Sequence, residues 1–329
     1  MGRFANDMNK VVLLHESGTY ANTSGNGYWL GQVISNNITE NENKIMERHM
    51  GTASRTLSSV EKGPLDVDGT LTYRPQDHRL PFWALGSVID VSGTNYEHTA
   101  VEIASDVRQS AFTSGTLNPP ISFSLEDSKQ APGTGKNFIR TVKGCVIDTV
   151  RIIAAQGEKN TIEANYVGKQ IPLTSGASTA VTEITTTPYL WSDTSLVLSG
   201  STLLTPTEIT LEINRNATSP HYVNNEREAS SPYQSDQDYT LNVTMDLNSD
   251  DAVMLYQKKQ NNEAFNGIFK MSRDSSTGSQ TGIYTLSGCY VVSMDPPSEA
   301  AGGVASTNVE IRPMSVTGKA YDKVPYNPW

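Results

Sequence analysis

The chain is poor in the residues that most sharply define a chemistry. Two cysteines in 329 residues, with no Cys-x-x-Cys pair and no Cys/His ligand spacing, exclude a disulfide scaffold and a structural zinc site. Both thiols, Cys145 and Cys289, are expected to be buried and inert. The five histidines, His15, His49, His78, His98 and His221, lack metal-ligand spacing, and solvated loop positions are the expectation for all of them. Positive charge is scarce as well: 25 Lys and Arg against 35 Asp and Glu give a net charge of −10 at pH 7. A protein that grips nucleic acid needs cations to displace counterions from phosphates, so tight DNA or RNA binding is disfavoured. Long apolar runs are missing too. Val11–Leu14, flanked by His15 and Glu16, is too short for a signal h-region or a membrane span, and synthesis in a reducing cytoplasm is the simplest reading.

Catalytic constellations are equally hard to find. Gly133-Thr-Gly135-Lys136-Asn137 has part of a phosphate-binding loop, but Gln130 stands where the upstream Gly belongs and Asn137 where Ser or Thr belongs. It reads as a hairpin turn. Asp66-Val-Asp68-Gly69 lies within an alternating strand and lacks the following ligands of a calcium loop. The carboxylates are scattered rather than paired, as a glycosidase would require. No catalytic, cofactor-binding or metal residue is expected, and no cofactor.

What remains is a composition suited to sheets. Hydrophobic residues make up 36% of the chain and charged residues 18%, with Thr, Ser, Asn and Gly crowding the connections. Leu65, Val67, Gly69, Leu71 and Tyr73 alternate with Asp66, Asp68, Thr70 and Thr72, the period of a strand with one buried face. Ile121–Leu125 alternates in the same way. Phe138–Ala154 and Thr161–Val167 form a hairpin around Ala155–Glu158. Further strands are expected at 196–198, 209–213, 239–247, 267–271, 283–294 and 304–311. Short helices are predicted at Leu80–Val88, with Pro81 tolerated in the first turn, and at Asp250–Gln260, with polar capping groups ahead of it. Two polar stretches, Glu40–Gly63 and Arg215–Asp236, read as flaps. Residues 1–27 read as an extended arm, and the Pro-containing segment from Pro313 onward as irregular.

The sequence also says the same thing twice. Thr141-Val-Lys-Gly-Cys145-Val-Ile returns as Thr285-Leu-Ser-Gly-Cys289-Tyr-Val, each time opening a β-prone run. Upstream, Gly69-Thr-Leu-Thr-Tyr73 matches Tyr239-Thr-Leu-Asn-Val243, and before that Asn37–Asn41 matches Thr210–Asn214. Three matches in one order imply two related units with loops of unequal length. The expected division is an arm (1–27), a first unit (28–168), a linker (169–190), a second unit (191–315) and a tail (316–329).

Asp68-Gly69-Thr-Leu-Thr-Tyr73-Arg-Pro75 followed by Leu80-Pro-Phe-Trp-Ala-Leu85 resembles the tail tube proteins of long-tailed phages and related viruses. The same is true of Val142–Gly157 leading into Thr161–Lys169, and the resemblance spans roughly 28–315. It implies a mainly β fold of two tandem β-sandwich or partial-barrel tail-tube domains, each with one short flanking helix. It further implies a structural virion protein that polymerises into stacked rings around a channel for DNA. Single-domain members form hexameric rings, so two domains per chain imply a trimer with pseudo-sixfold symmetry. Implied partners are other copies of the chain, a tape measure protein in the lumen, and tail terminator and baseplate or tip proteins. DNA would pass without specific binding and no membrane would be entered. The location implied is the virion tail, assembled in the host cytoplasm. Asp66, Asp68, Asp148, Glu163, Glu208 and Glu212 are the candidate acidic lining of the lumen. Arg48, Arg55, Arg215 and Arg227, on the flaps, are candidates for ring stacking. The alternative is another β-rich virion component, a receptor-binding or decoration module.

Overall fold

A computed structural model describes residues 9–16, 20–47, 57, 59–92, 96–102, 122–130, 137–174, 176–184, 186–203, 205–223, 226–230, 232–234, 236–247, 250–273, 280–294, 306–323 and 326. Apolar–polar alternation dominates this length and yields strands, because side chains two residues apart share a face. The chain opens with β1 (Asn9–Glu16), β2 (Thr23–Tyr28) and β3 (Gly31–Glu42), then a small hairpin of β4 (Ile45–Glu47) and β5 (Ser59–Glu61). Next come β6 (Leu65–Pro75), helix α1 (Arg79–Leu85) and a hairpin of β7 (Ser87–Val91) and β8 (Tyr96–Val101). The first half ends with β9 (Phe123–Gln130), the long β10 (Asn137–Ala155), β11 (Thr161–Gly168) and β12 (Leu173–Thr174). The second half begins with β13 (Thr194–Leu198), β14 (Ser201–Thr202) and β15 (Pro206–Asn214), then a hairpin of β16 (Ala217–Thr218) and β17 (Tyr233–Gln234). It continues through β18 (Asp238–Asp246), helix α2 (Asp250–Asn261), β19 (Phe265–Arg273), β20 (Gln280–Met294), β21 (Ser306–Arg312) and β22 (Ser315–Asp322). The fold is mainly β with two helices, as the sequence leads one to expect.

The principal sheet is antiparallel and runs β3-β6-β11-β10-β15-β18-β21-β20. It stays open: among the described residues the outer edges of β3 and of the C-terminal part of β20 have no strand partner. Two smaller sheets face it. One runs β2-β1-β9-β10-β12 and the other β14-β13-β19-β20-β22-β8-β7. Strands β10 and β20 are long enough to serve two sheets each, and both bend at the Gly-Cys dipeptide. Gly144 has φ +67° and Gly288 φ +61°, each at a register shift where three residues of its strand oppose two of the partner. Only glycine takes that left-handed value without strain, so it sets the bulge. The cysteine that follows is buried and free in both cases.

The two halves share their strand order. From the first, β3-β6-β11-β10 is followed in the sheet by β15-β18-β21-β20 from the second. Asn37 pairs with Thr70 and Glu212 with Thr240, so the earliest sequence match is shifted by two residues from the one read off the motif.

Both chain ends correct the sequence reading. Strand β1 pairs with β9 from Asn9 to His15, and β2 with β1, so Asn9–Glu16 and Thr23–Tyr28 are sheet rather than an extended arm. Strand β22 sits between β20 and β8, although the segment from Pro313 was expected to be irregular. Pro313 precedes the strand and so removes no ladder donor from it. The hairpin β7–β8, from the first half, joins the sheet of the second, which interlocks the halves. Between the halves, Leu173–Thr174 form the short β12, and Thr179 lies over the smaller first sheet, where its carbonyl accepts from Lys10 Nζ and its N–H and hydroxyl donate to the Glu126 carboxylate.

Helix α1 is buried at every residue. Trp83 packs on Phe123 of the first half, while Phe82 meets Tyr284 and Tyr326 edge-on at 5.7 and 5.6 Å in the second. Helix α2 buries only Ala252 and Leu255, and its first and last turns carry Asp250, Asp251 and Lys258, Lys259 in favourable order for the helix dipole.

Candidate functional site

The principal sheet has one apolar face, which holds the core, and one polar face. Register places Ser35, Thr72, Glu163, Arg151, Glu212 and Thr240 in one row across six strands of that polar face. A neighbouring row holds Asn37, Thr70, Asn165, Thr149, Asn214 and Asp238. Thr70 donates to Asn165 Oδ1 at 2.9 Å, and Arg151 Nε lies 2.6 Å from Glu212 Oε2. Apart from Arg151 these rows are Ser, Thr, Asn and carboxylates, so cations that could neutralise phosphates are scarce on them.

The six acidic candidates divide. Asp68, Glu163, Glu208 and Glu212 sit on the polar face, with Asp66 at its margin. Asp66 accepts there from Asn43 Nδ2 at 3.1 Å and contacts His221 Nε2 at 2.7 Å, which ties it to both flaps. Asp148 lies in the β10 bulge, where its carboxylate accepts the Ala217 N–H at 2.8 Å and its carbonyl the Arg215 N–H at 2.7 Å. It therefore serves the joint between the halves. Sequence reading missed Glu310, opposite Asn242 on the same face; strand alternation over Val309–Ile311 carried the signal. Arg151 was missed as well, and it neutralises part of this face.

The basic candidates fare differently. Arg48 and Arg55 lie outside the described residues. Arg215 is 1% exposed and donates to the Trp83 carbonyl at 2.7 Å, so it holds α1 in place and is unavailable for stacking. Gln237 reinforces it by donating to the carbonyls of Ala84 and Leu85. Arg227 binds the Gly63 carbonyl and the Glu42 carboxylate, linking one flap to the base of the other.

Three of the histidines overturn the expectation of solvated loops, since His15, His78 and His98 are buried. His78 bridges the hydroxyls of Tyr284 and Tyr189 at 2.9 and 3.2 Å, and burial lowers its pKa to about 4. His15 stacks on Tyr28, and burial, helped by nearby Arg79, lowers its pKa to about 3. Around His98 burial opposes the charge, but hydrogen bonds to Asp322 at 3.0 Å and Asp90 at 2.8 Å outweigh it and raise the pKa. Burial likewise raises Asp77 to about 6, against the pull of Arg79, whose guanidinium lies between the Tyr28 and Tyr326 rings. His78 and His98 tie the two halves of the chain together through Tyr284 and Asp322, partners more than two hundred positions away that no local pattern reveals.

No group of three or more His, Cys, Asp or Glu suited to a metal occurs among the described residues, and none of their helices is long and apolar enough to cross a membrane. No curated protein matches the chain. A family model described as phage tail tube protein matches residues 50–318. That span takes in both helices and every strand of the principal sheet except β3, and the chain belongs to the phage tail tube protein family.

Proposed function

We propose that this structural tail tube protein carries two copies of one tube unit and that three chains close into a ring of six units. The observation that carries the reading is the principal sheet. Its internal joint pairs β10 with β15, and its free ends are the positional equivalents of those strands, β20 and β3. Pairing β20 of one chain with β3 of the next repeats the internal joint, and after three chains no edge is left open. Unpaired edges invite association, and closing them around a ring removes that liability. Heterologous contacts repeated along an axis then give a filament.

The polar face lines the channel in this arrangement. Asp66, Asp68, Glu163, Glu208, Glu212 and Glu310 repel DNA over roughly the 8 Å that salt allows, so the genome passes to the host cell without adhering. The flaps expose Ile45, Met46 and Val60 on one hairpin and Tyr222 and Val223 beside the other, apolar tips suited to contacts between stacked rings. A tape measure protein fills the lumen during assembly in the host cytoplasm, and terminator and baseplate or tip proteins close the ends. Concentrated purified protein examined by negative-stain microscopy and native mass spectrometry should give hollow filaments and rings of three chains. Rings of six chains, or compact particles that never polymerise, would refute the reading.

A further inference from the structure

Each tube unit leaves a gap beneath its outer sheet, and inside the chain a helix from the other unit fills it. Cross-strand partners share a face, so two transverse rows are directly comparable. In the second half, Leu196, Phe269, Tyr284 and Gly318 form one row. In the first half the row at the same distance before the Gly-Cys bulge is Val11, Asp127, Arg140 and Leu173. The first of these rows is roofed by α1: Phe82 meets Tyr284, and a Cβ on Gly318 would lie 2.9 Å from Phe82 and from Leu85. The second row has no helix over it among the described residues. Leu173 is 62% exposed there, Phe138 one row further out is 37% exposed, and a cleft of about 340 Å³ opens between Val11, Asp127, Lys129 and β3.

Helix α2 is the complementary half of this mismatch. It packs on β20 through Ala252 and Leu255, as α1 packs on β10, but its other side is bare. Val253 is 56% and Tyr256 38% exposed, and with Gln257 and Gln260 they form one stripe beside a shallow groove of about 320 Å³. One helix has no cleft, and one cleft has no helix.

We propose that α2 docks in the cleft between β3 and the Val11–Asp127–Arg140–Leu173 row of a neighbouring copy of this chain, with Val253 and Tyr256 as its anchors. The inference rests on the ring reading for its geometry, because the joint that seats α1 between β10 and β15 becomes the joint between β20 and the next chain's β3. The occupant is a second copy rather than another protein, since the same chain already makes the equivalent contact internally. The chemistry of the cleft supports this choice. Where the internal row has Phe269 and Tyr284, the open row has Asp127 and Arg140, paired at 2.8 Å, so its floor is polar where the internal one is aromatic. The anchors then supply the apolar contact at the centre of the joint, with Gln257 and Gln260 at its polar rim.

Two single variants, Val253→Cys and Leu173→Cys, are mixed and oxidised at polymerising concentration in the full chain. The native thiols are buried, so little background is expected. A covalent heterodimer that forms only in the mixture supports the docking. Hollow filaments without that heterodimer, or homodimers of either variant alone, overturn it while leaving the ring intact. A heterodimer without filaments upholds the docking and removes the ring. As a second measure, Tyr256→Asp should keep the wild-type melting profile and raise the concentration required for polymerisation by about tenfold or more. Unchanged polymerisation counts against the docking.

Discussion

The two halves of this chain use the same strand order around different seams, one closed within the chain and one left bare, and the contrast shows what a buried seam requires that an exposed one does not. The seam inside the chain is dry and heavily secured. Helix α1 is wholly buried, the β7–β8 hairpin crosses into the opposite sheet, and Tyr326 seals the edge by accepting the Trp83 Nε1–H at 3.0 Å and stacking on His98. The corresponding region of the second half is bare. From α2 the chain passes to β19 through Asn262–Ala264, too short to hold a counterpart of β7–β8, and only two residues of the helix are buried. Burial of that kind inside one chain is permanent, whereas the α2 face, which under the docking proposed above receives another copy, has to remain compatible with water.

The comparison can be broken most forcefully at Phe82. Phe82→Ala empties the centre of the internal seam and should destabilise the monomer by about 3–5 kcal/mol, whereas Tyr256→Ala at the corresponding bare helix should change monomer stability by at most about 0.5 kcal/mol. Urea unfolding of both variants checks this, and equal losses would show that the seams do not differ as described.

Acid should act on the internal seam next. His78 and His15 have folded-state pKa values below that of an ordinary histidine, so the stability they contribute is present above pH 6.5 and is lost as pH falls towards 4 and 3. Asp77 is raised, so it works in the opposite sense between pH 6 and 4 and offsets about one histidine. A net loss of about 3 kcal/mol by pH 4 is expected. His78→Gln should flatten the profile, and an unaltered profile would remove His78 from the account.

The smallest contrast lies at the matched bulges. Alanine is strained at either glycine by about 1–2 kcal/mol because φ is positive. At Gly144 the new methyl would also meet the Tyr20 ring at 2.7 Å, while at Gly288 it meets only the flexible Met314 side chain at 3.0 Å. Gly144→Ala should therefore lower the melting temperature more than Gly288→Ala, and the reverse order would contradict the packing described.

Much of the sheet was legible because alternation is local. Leu65–Tyr73 shows its buried face directly, and the hairpin at Ala155–Glu158 is marked by its turn residues. The Gly-Cys repeat was legible for a stronger reason: a left-handed residue at a bulge admits little but glycine, and the next position is buried. Strands β1 and β22 were missed because their patterns are interrupted, by polar residues around Val11–Leu14 and by glycine and lysine in Ser315–Asp322. His78 and His98 look like loop residues until Tyr189, Tyr284, Tyr326 and Asp322 arrive from the rest of the chain. Asp148 falls where a bulge in β10 breaks the period of two, so alternation alone does not assign its side.

By itself the sequence determined the β-rich character, the two helices, the paired Gly-Cys positions and the acidic balance, since each depends on neighbours a few residues away or on composition alone. Tertiary structure decided which strands adjoin, which helix is roofed and which left bare, and which charged groups face the same surface. Those outcomes depend on shape and pairing between distant segments, where a shift of one residue in register turns a side chain from core to surface.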